Sequence, residues 1–192
     1  MGINEVKRAT QISEENSLTV WTVGHSTRAL EEFISLLQQN GITCLVDVRS
    51  FPGSRRHPQF GSSSLRESLG AVDIEYHHLP SLGGRRKPVP HSRNTAWRNV
   101  MFQAYADHME SAEFKEGINN LLSLAQVQPT AIMCAEALWW RCHRSLISDY
   151  LRVHGVRVVH ILDAGKNEVH PYTSAARIVA GELSYAGLLD GS

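Results

Sequence analysis

Short apolar runs alternate with amphipathic stretches along most of this chain. The runs 18–24 (LTVWTVG) and 43–48 (TCLVDV) are rich in β-branched residues, which favours strands. Between them, ALEEFISLLQQNG repeats its apolar residues at helical spacing and ends at Gly41, a helix stop. This order predicts two parallel strands joined by a right-handed crossover, in a sheet that helices cover.

The same alternation continues towards the C-terminus. Further strands are predicted at 73–79, 130–135 and 156–163, and further helices at 97–109, 113–127 and 143–155. We therefore predict an α/β fold with a single open, mainly parallel sheet, helices on both faces and long functional loops. Residues 1–17 are predicted to form a polar N-terminal arm and residues 18–192 a single α/β domain, in which the tail after Asp163 has no assignable pattern.

Two segments, 49–64 and 80–94, have no apolar period and are rich in Gly, Pro, Ser and Arg. Loops of this length are uncommon inside a domain and are usually functional or disordered. The whole chain has nineteen basic and nineteen acidic residues, but residues 49–93 contain eight Lys or Arg against three Asp or Glu. This basic middle is a candidate anion-binding surface.

The cysteine content and the hydropathy pattern indicate a cellular compartment. Three cysteines at low density are unlike the disulfide framework of a secreted protein, which predicts a reducing, cytoplasmic location. No apolar run reaches the length of a membrane span, and the first seventeen residues lack the apolar block of a signal peptide. No membrane partner is expected, and the sequence leaves the oligomeric state open.

Polar or titratable residues follow nearly every predicted strand. Ligands of open parallel sheets bind outside the carboxyl ends of the strands, so these residues should converge on one cleft. They are His25 and Ser26 after the first strand, Asp47 and Arg49 after the second, His77 and His78 after the third, Cys134 and Glu136 after the fourth, and His160 to Asp163 at the last.

A series of motifs runs in order from about Thr22 to Asp163: VGHSTR, LVDVRSFPGSRRHPQF, YHHLPSLGGRR, CAE followed by CHR, and VHIL. These motifs resemble those of the family named domain of unknown function 488. The resemblance implies a compact α/β architecture and, from some relatives, an action on nucleic acid or modified bases. This chain departs from the family between CAE and CHR, where ALWWR replaces a polar spacer.

Asp47 and Glu136 are the candidate catalytic residues. Glu136 follows an apolar strand, where partial burial would suit a carboxyl group to acid or base catalysis. Alternatively, Glu136 stabilises the N-terminus of the next helix. Asp47 can act as a general base or stabilise developing positive charge, or it can simply cap its own loop.

The predicted substrate- and phosphate-binding set combines cations, histidines and aromatic rings. His143 and Arg144 open a helix, where free main-chain amides favour an anion, although Arg144 can instead pair with a carboxylate and order the loop. Loop arginines can contact phosphates or be a solvated charge run, and the aromatic rings can stack bases or belong to the core. The set is His25, Ser26, Arg49, Arg55, Arg56, Tyr76, Arg85, Arg86, Trp139, Trp140, His143 and Arg144.

Cys134 occupies the strand-end position of the nucleophile in rhodaneses and cysteine phosphatases. The loop AEALWWR lacks the small residues of an anion cradle, and Glu136 would oppose a thiolate, so a small buried role is favoured for Cys134 and Cys44. Zinc ligation by Cys134 or Cys142 is disfavoured because no close Cys-x-x-Cys or His-x-x-x-His pair exists. No metal and no cofactor are predicted.

The leading hypothesis is an enzyme directed at nucleic acid or a nucleotide, a glycosylase-like hydrolase of a base or modified base. Aromatic rings would hold the base, arginines the phosphate, and Asp47 or Glu136 would activate water or stabilise an oxocarbenium-like state. The alternatives are a thiol-dependent sulfur or phosphoryl transferase that uses Cys134, and a nucleic-acid-binding module without catalysis.

Overall fold

The computed structural model describes residues 18–53 and 56–187. Its main sheet has six strands in the order β3-β2-β4-β1-β5-β6, and all neighbours are parallel except the antiparallel pair of β5 and β6. The predicted α/β fold with a mainly parallel sheet is therefore confirmed. The strands are β1 (Thr19–Gly24), β2 (Cys44–Asp47), β3 (Glu75–His78), β4 (Thr130–Cys134), β5 (Arg157–Asp163) and β6 (Lys166–Val169), and β7 (Arg177–Val179) pairs with β8 (Glu182–Ser184) in a separate hairpin.

Five α-helices accompany the sheet among the described residues, and three short 3₁₀ turns lie in the connections. Two helices begin at side-chain caps: Asn99 accepts a hydrogen bond from the Met101 N–H, and Ser111 accepts one from the Phe114 N–H. The helices are α1 (Leu30–Gln39), α2 (Ser62–Gly70), α3 (Val100–Met109), α4 (Ala112–Val127) and α5 (Arg144–Val153), and the 3₁₀ turns are Pro58–Phe60, Pro80–Leu82 and Trp139–Arg141.

Alternate residues of the strands feed two apolar cores, one on each face of the sheet. On one face, Ile132 of the central strand β4 packs in the same core as residues of α3, α4 and α5. On the other face, Ala131 and Met133 share a core with residues of α1 and α2. Because β4 is buried on both faces, all of its residues are apolar or small, which explains its strong sequence signal.

The structure differs from the prediction in the loop 49–64, and it shows strands in the tail after Asp163, which had no prediction. Residues 62–64 were predicted to be irregular, but α2 begins at Ser62; the helix was missed because only Leu65 and Leu69 mark its buried face. The unassigned tail contains β6, β7 and β8, which are mostly exposed and therefore carry no apolar alternation. Residues 1–17, predicted to be a polar arm, lie outside the described residues.

None of the helices in the described part of the chain combines the length and apolar character that crossing a lipid bilayer requires.

Candidate functional site

Main-chain hydrogen bonds tie three strand ends into one edge of the sheet. The N–H of His25, after β1, donates to the carbonyl of Cys134 at the end of β4 (3.1 Å). On the other side of β4, the N–H of Val48 donates to the carbonyl of Met133 (3.0 Å). The segments after β1, β2 and β4 therefore meet, as the parallel topology requires.

Gly24 allows the chain after β4 to cross directly over the end of β1. A Cβ atom at this position would lie 1.9 Å from the main-chain carbonyl oxygen of Glu136, which no side chain can accommodate. The close approach of these two segments is the physical reason for the glycine in the motif VGHSTR.

A pocket of about 330 Å³ opens at this edge. Cys134 and Cys142 contribute its sulfur atoms, and both residues are almost completely buried. An exposed aromatic ring, Phe51, lies at the rim with the Arg85 guanidinium 5.7 Å from its centroid. The polar wall consists of Arg49, Arg85, Glu136, Arg141 and His143, and the apolar wall includes Phe51, Met101, Phe102 and Tyr105.

The two sulfur atoms of the pocket are in direct contact. Cys134 Sγ lies 2.7 Å from Cys142 Sγ, and the Nε of the buried Arg144 donates to Cys134 Sγ at 3.1 Å. Burial alone would raise the pKa of the Cys142 thiol, but the hydrogen bond from Cys134 and the Arg144 charge outweigh it and lower this pKa to about 6. Burial and the same hydrogen bond raise the pKa of Cys134 well above its usual range. The two shifts have opposite directions, so the pair gives up its first proton more readily than its second.

His143 lies beside Cys142 in a fixed tautomer. Its Nε2 is 3.1 Å from the Val48 carbonyl, which can only accept, so Nε2 carries the proton and Nδ1 faces Cys142 Sγ at 3.4 Å. Burial lowers the pKa of His143, which keeps the ring neutral. A Cβ at Gly84 would lie 2.4 Å from the His143 Nδ1, so this glycine lets the loop 80–94 pack against the ring. The unprotonated Nδ1 of His143 is therefore placed to accept the proton of the Cys142 thiol.

Arg144 lies beneath the pocket and not in its wall. Besides Cys134, its guanidinium donates to the Thr22 hydroxyl and to the main-chain carbonyls of Glu136 and Ala137. These bonds turn the carbonyl oxygens of the loop after β4 towards the arginine.

A buried chain of hydrogen bonds continues from Arg144 to the far side of β5. Thr22 Oγ1 lies 2.7 Å from His160 Nδ1, His160 Nε2 lies 2.9 Å from His170 Nδ1, and His170 Nε2 lies 3.0 Å from an Asp149 carboxylate oxygen. Because the carboxylate only accepts, each of these groups donates towards Asp149. Burial lowers the pKa of His160 to about 2, which matches a neutral ring. We call Thr22, His160, His170 and Asp149 the buried relay.

Asp47 lies in a second buried cluster, on the other side of β4. Its carboxylate accepts hydrogen bonds from the Arg49 side chain and, at 2.7 Å, from the Tyr76 hydroxyl, and it is fully buried. Arg49 Nη1 lies 3.2 Å from His25 Nε2, and burial together with the Arg49 charge lowers the pKa of His25 to about 4. Asp47 therefore orients Arg49, which reaches the pocket, whereas Asp47 itself does not.

The predicted site residues divide into three groups. Arg49, Arg85, Glu136 and His143 line the pocket together with Cys134. Glu136 is exposed at its rim and not partly buried, which corrects the sequence expectation. The second group is held by partners in the protein: His25, Ser26, Asp47, Tyr76, Arg86, Trp139 and Arg144. Arg56 and Trp140 are exposed outside the pocket lining, and Arg55 lies outside the described residues.

The two tryptophans behave differently from the paired base platform that was expected. Trp139 is buried and stacks on His160 with ring centroids 4.4 Å apart, and its Nε1 donates to Glu168. Trp140 remains 46% exposed. Trp139 therefore covers the buried relay, which leaves Trp140 alone with a free face.

Three features of the site were not predicted from the sequence: the contact between Cys134 and Cys142, the contribution of Arg141 to the pocket, and the buried relay. Arg141 carried no signal beyond its charge. The relay did carry one, because Thr22 and His160 are polar residues inside apolar strand runs. Such residues need a buried partner, but the sequence does not name it.

A family model described as "Domain of unknown function DUF488" matches residues 29–151. Comparison with curated proteins and with solved structures finds no match. The matched range contains Asp47, Arg49, Cys134, Cys142 and Arg144, so it spans both the pocket and the cluster behind it. The chain therefore belongs to the DUF488 family.

Proposed function

We propose that the pocket is the active site of a thiol-dependent sulfur transferase, with Cys142 as nucleophile and Cys134 as its partner. The observation that carries the proposal is the pair of sulfur atoms in contact at 2.7 Å in a pocket that the chain leaves open. A thiolate, not a thiol, is the nucleophile of such chemistry. The lowered pKa of Cys142, about 6, supplies that thiolate at neutral pH.

The charge of the pocket favours an anionic substrate. Arg85 and Arg141 lie in the wall with the single carboxylate of Glu136, whereas the third arginine of the wall, Arg49, is paired with Asp47 behind it. Phe51 is 71% exposed at the same rim and offers a flat apolar face on which a base can stack. Together they support a nucleotide or nucleic acid as the sulfur acceptor.

The reaction that these groups support has two steps. The Cys142 thiolate attacks the outer sulfur of an anionic donor, a thiosulfonate or thiosulfate. The S–S bond of the donor breaks, a Cys142 persulfide forms, and the remainder of the donor leaves as a sulfinate or as sulfite. The Cys134 sulfur then attacks Cys142 Sγ. The S–S bond of the persulfide breaks, a Cys134–Cys142 disulfide forms, and the hydrosulfide that is released displaces a leaving group from an activated carbon of the bound acceptor. The proton of Cys134 passes to His143 Nδ1 or to the leaving hydrosulfide, and a small-molecule thiol reduces the disulfide again.

The state of the cysteines is compatible with this cycle. Cys44, Cys134 and Cys142 are all free thiols in the structure. A dithiol that must be reduced after each turnover suits a reducing compartment, and we propose the cytoplasm as its location.

A second candidate is hydrolysis of a glycosidic bond with Glu136 as the acid or base. The observation in its favour is that Glu136 is exposed on the wall of the same pocket, where it can contact a substrate and water. In this case the arginines and Phe51 would serve the same binding role, and the thiols would only be structural.

Intact mass after exposure to thiosulfate tests the proposal and separates the two candidates. The wild-type protein should form a Cys134–Cys142 disulfide, and Cys134→Ser should accumulate a mass gain of one sulfur atom because it cannot resolve the persulfide. Cys142→Ser should gain none. Cys44→Ser, at a buried cysteine outside the pocket, is the matched control and should behave like the wild type.

Two results would contradict a sulfur transferase. One is a sulfur adduct that persists in Cys142→Ser. The other is a glycosidase activity that Glu136→Gln reduces by about two orders of magnitude while Cys142→Ser leaves it unchanged.

A further inference from the structure

A second group of potential ligands lies far from the pocket, on the edge strand β3 and its neighbour β2. Cys44 of β2 pairs in register with Glu75 of β3, and His77 lies two residues further along β3. Residues two apart on a strand share a face of the sheet, so all three side chains leave from the same face. Their ligand atoms all lie within 4.8 Å of one another. We call these three residues the edge triad.

From this juxtaposition we infer that the edge triad binds a zinc ion, with thiolate, imidazole and carboxylate ligands. These are the three ligand types that zinc takes in proteins, and a thiolate beside an imidazole disfavours magnesium or calcium. Three protein ligands leave the fourth tetrahedral position to water. The site is independent of the proposed sulfur chemistry.

The spacing of the edge triad suits an ion of this size. Zinc bonds of about 2.0 to 2.3 Å hold ligand atoms roughly 3 to 4 Å apart in a tetrahedron. His77 Nε2 and a Glu75 carboxylate oxygen are already 3.3 Å apart. The side chains of His77 and Glu75 are exposed enough to rotate until their ligand atoms reach bonding distance of an ion. Cys44 is fully buried and fixed.

Neighbouring side chains hold the Glu75 carboxylate of the triad in place. The side-chain amide nitrogen of Gln128 donates to the Glu75 carboxylate at 2.7 Å. The side-chain amide oxygen of Gln128 accepts from the Thr43 hydroxyl at 3.0 Å. Hydrogen bonds of this kind fix the orientation of a ligating carboxylate. On the solvent side, Glu75 and His77 line an open groove of about 550 Å³, through which an ion and its water can enter. Cys44 would then be the inner ligand.

Titration of the protein with Co²⁺ tests the site, because cobalt in place of zinc reports a thiolate ligand through a charge-transfer absorption. The wild-type protein should show this absorption, and Zn²⁺ should displace it. Cys44→Ser should abolish it, and His77→Gln and Glu75→Gln, at exposed positions that the fold tolerates, should weaken cobalt binding. Gln128→Ala should weaken cobalt binding by about 10- to 100-fold, because the Glu75 carboxylate loses the hydrogen bond that orients it.

Two matched variants make the outcome decisive. His154→Gln replaces a surface histidine outside the triad and should bind cobalt like the wild type. Cys142→Ser removes a thiol of the pocket and should also leave the absorption unchanged. An absorption that survives Cys44→Ser and disappears in Cys142→Ser would assign the metal to the pocket and overturn the inference. Absence of any thiolate absorption in the wild type would overturn it as well.

Discussion

The pocket and the buried relay both contain histidine and other polar side chains, yet they differ in whether those side chains can still reach a substrate. Cys142, Glu136 and His143 line the pocket of about 330 Å³, and the His143 Nδ1 lies 3.4 Å from the Cys142 sulfur. In the relay, His160 and Asp149 are fully buried, and the two Asp149 oxygens accept from His170, Thr173 and Tyr185.

Residue type alone therefore does not mark a functional site in this protein. A histidine whose two ring nitrogens are both satisfied inside the protein is a structural element. A histidine with one nitrogen fixed and the other facing a thiol can accept the proton of that thiol. Arg144 connects the two regions, because the relay ends at Thr22 and Arg144 also donates to Cys134. The relay therefore positions Arg144, whose charge lies beside both sulfur atoms and lowers the pKa of Cys142.

The largest expected effect is on stability, and it distinguishes Asp149 of the relay from Glu136 of the pocket. Asp149→Ala should lower the free energy of unfolding by about 3 to 5 kcal/mol, because it leaves several buried donors without an acceptor. Glu136→Ala, at the exposed rim, should change it by no more than about 0.5 kcal/mol. Urea denaturation of both variants measures the difference. Equal losses would mean that the relay is not structural.

The second prediction concerns the arginine that joins the two regions. Site-specific alkylation of Cys142 should follow a thiol pKa of about 6, so that reactivity is full above this pH and falls as the pH drops through it. Arg144→Gln should move the midpoint towards that of an ordinary cysteine, about 8.5, and lower the rate at pH 6.5 roughly tenfold or more.

Arg141→Gln is the control for this experiment. Arg141 lines the same pocket but donates no hydrogen bond to either sulfur, so the midpoint should move less. An alkylation midpoint near 8.5 in the wild type would contradict the assignment of the thiolate to Cys142. Thermal melting of each variant checks that the fold is retained.

The third prediction is an acid dependence of stability that the relay causes. Burial lowers the pKa of His160 from 6.5 to about 2, so its ring is neutral in the folded protein and becomes protonated only in the unfolded chain. Stability should therefore fall as the pH decreases below 6.5, by up to about 1.4 kcal/mol per pH unit for this group. His25, with a pKa lowered to about 4, adds to the slope in the window from 6.5 to 4.

His160→Asn tests the origin of the slope, since it should destabilise the protein at pH 7.5 but flatten the acid dependence. His154→Gln, at an exposed helix end, should leave the slope as it is. A slope that His160→Asn does not reduce would assign it to other groups.

The smallest expected effect distinguishes two adjacent arginines near the pocket. Arg86 donates to the carbonyls of Gly83, Pro80 and Ser81 and pairs with Glu113, whereas Arg85 lines the pocket. Arg85→Ala should leave stability within about 0.5 kcal/mol and reduce the salt dependence of single-stranded nucleic acid binding by about one unit in slope. Arg86→Ala should lower stability instead. The same change of slope in both variants would remove the distinction.

The sequence by itself determined the order of the main strands and helices and the edge of the sheet at which the pocket lies. Buried strands such as β4 and amphipathic helices such as α1 repeat their apolar residues with a local period, and a period is readable without any tertiary contact. The weakly amphipathic α2 and the exposed strands β6, β7 and β8 have no such period.

Only the tertiary structure decided which side chains meet. The hydrogen bond of Thr22 to His160 joins residues 138 positions apart, and it exists because β1 lies between β4 and β5 in the sheet. The same contacts decided that Asp47 turns towards Arg49 and away from the pocket, and that Cys134 meets Cys142 across a loop. A local pattern records how far each residue is buried, whereas the partner of a buried polar group depends on the path of the whole chain.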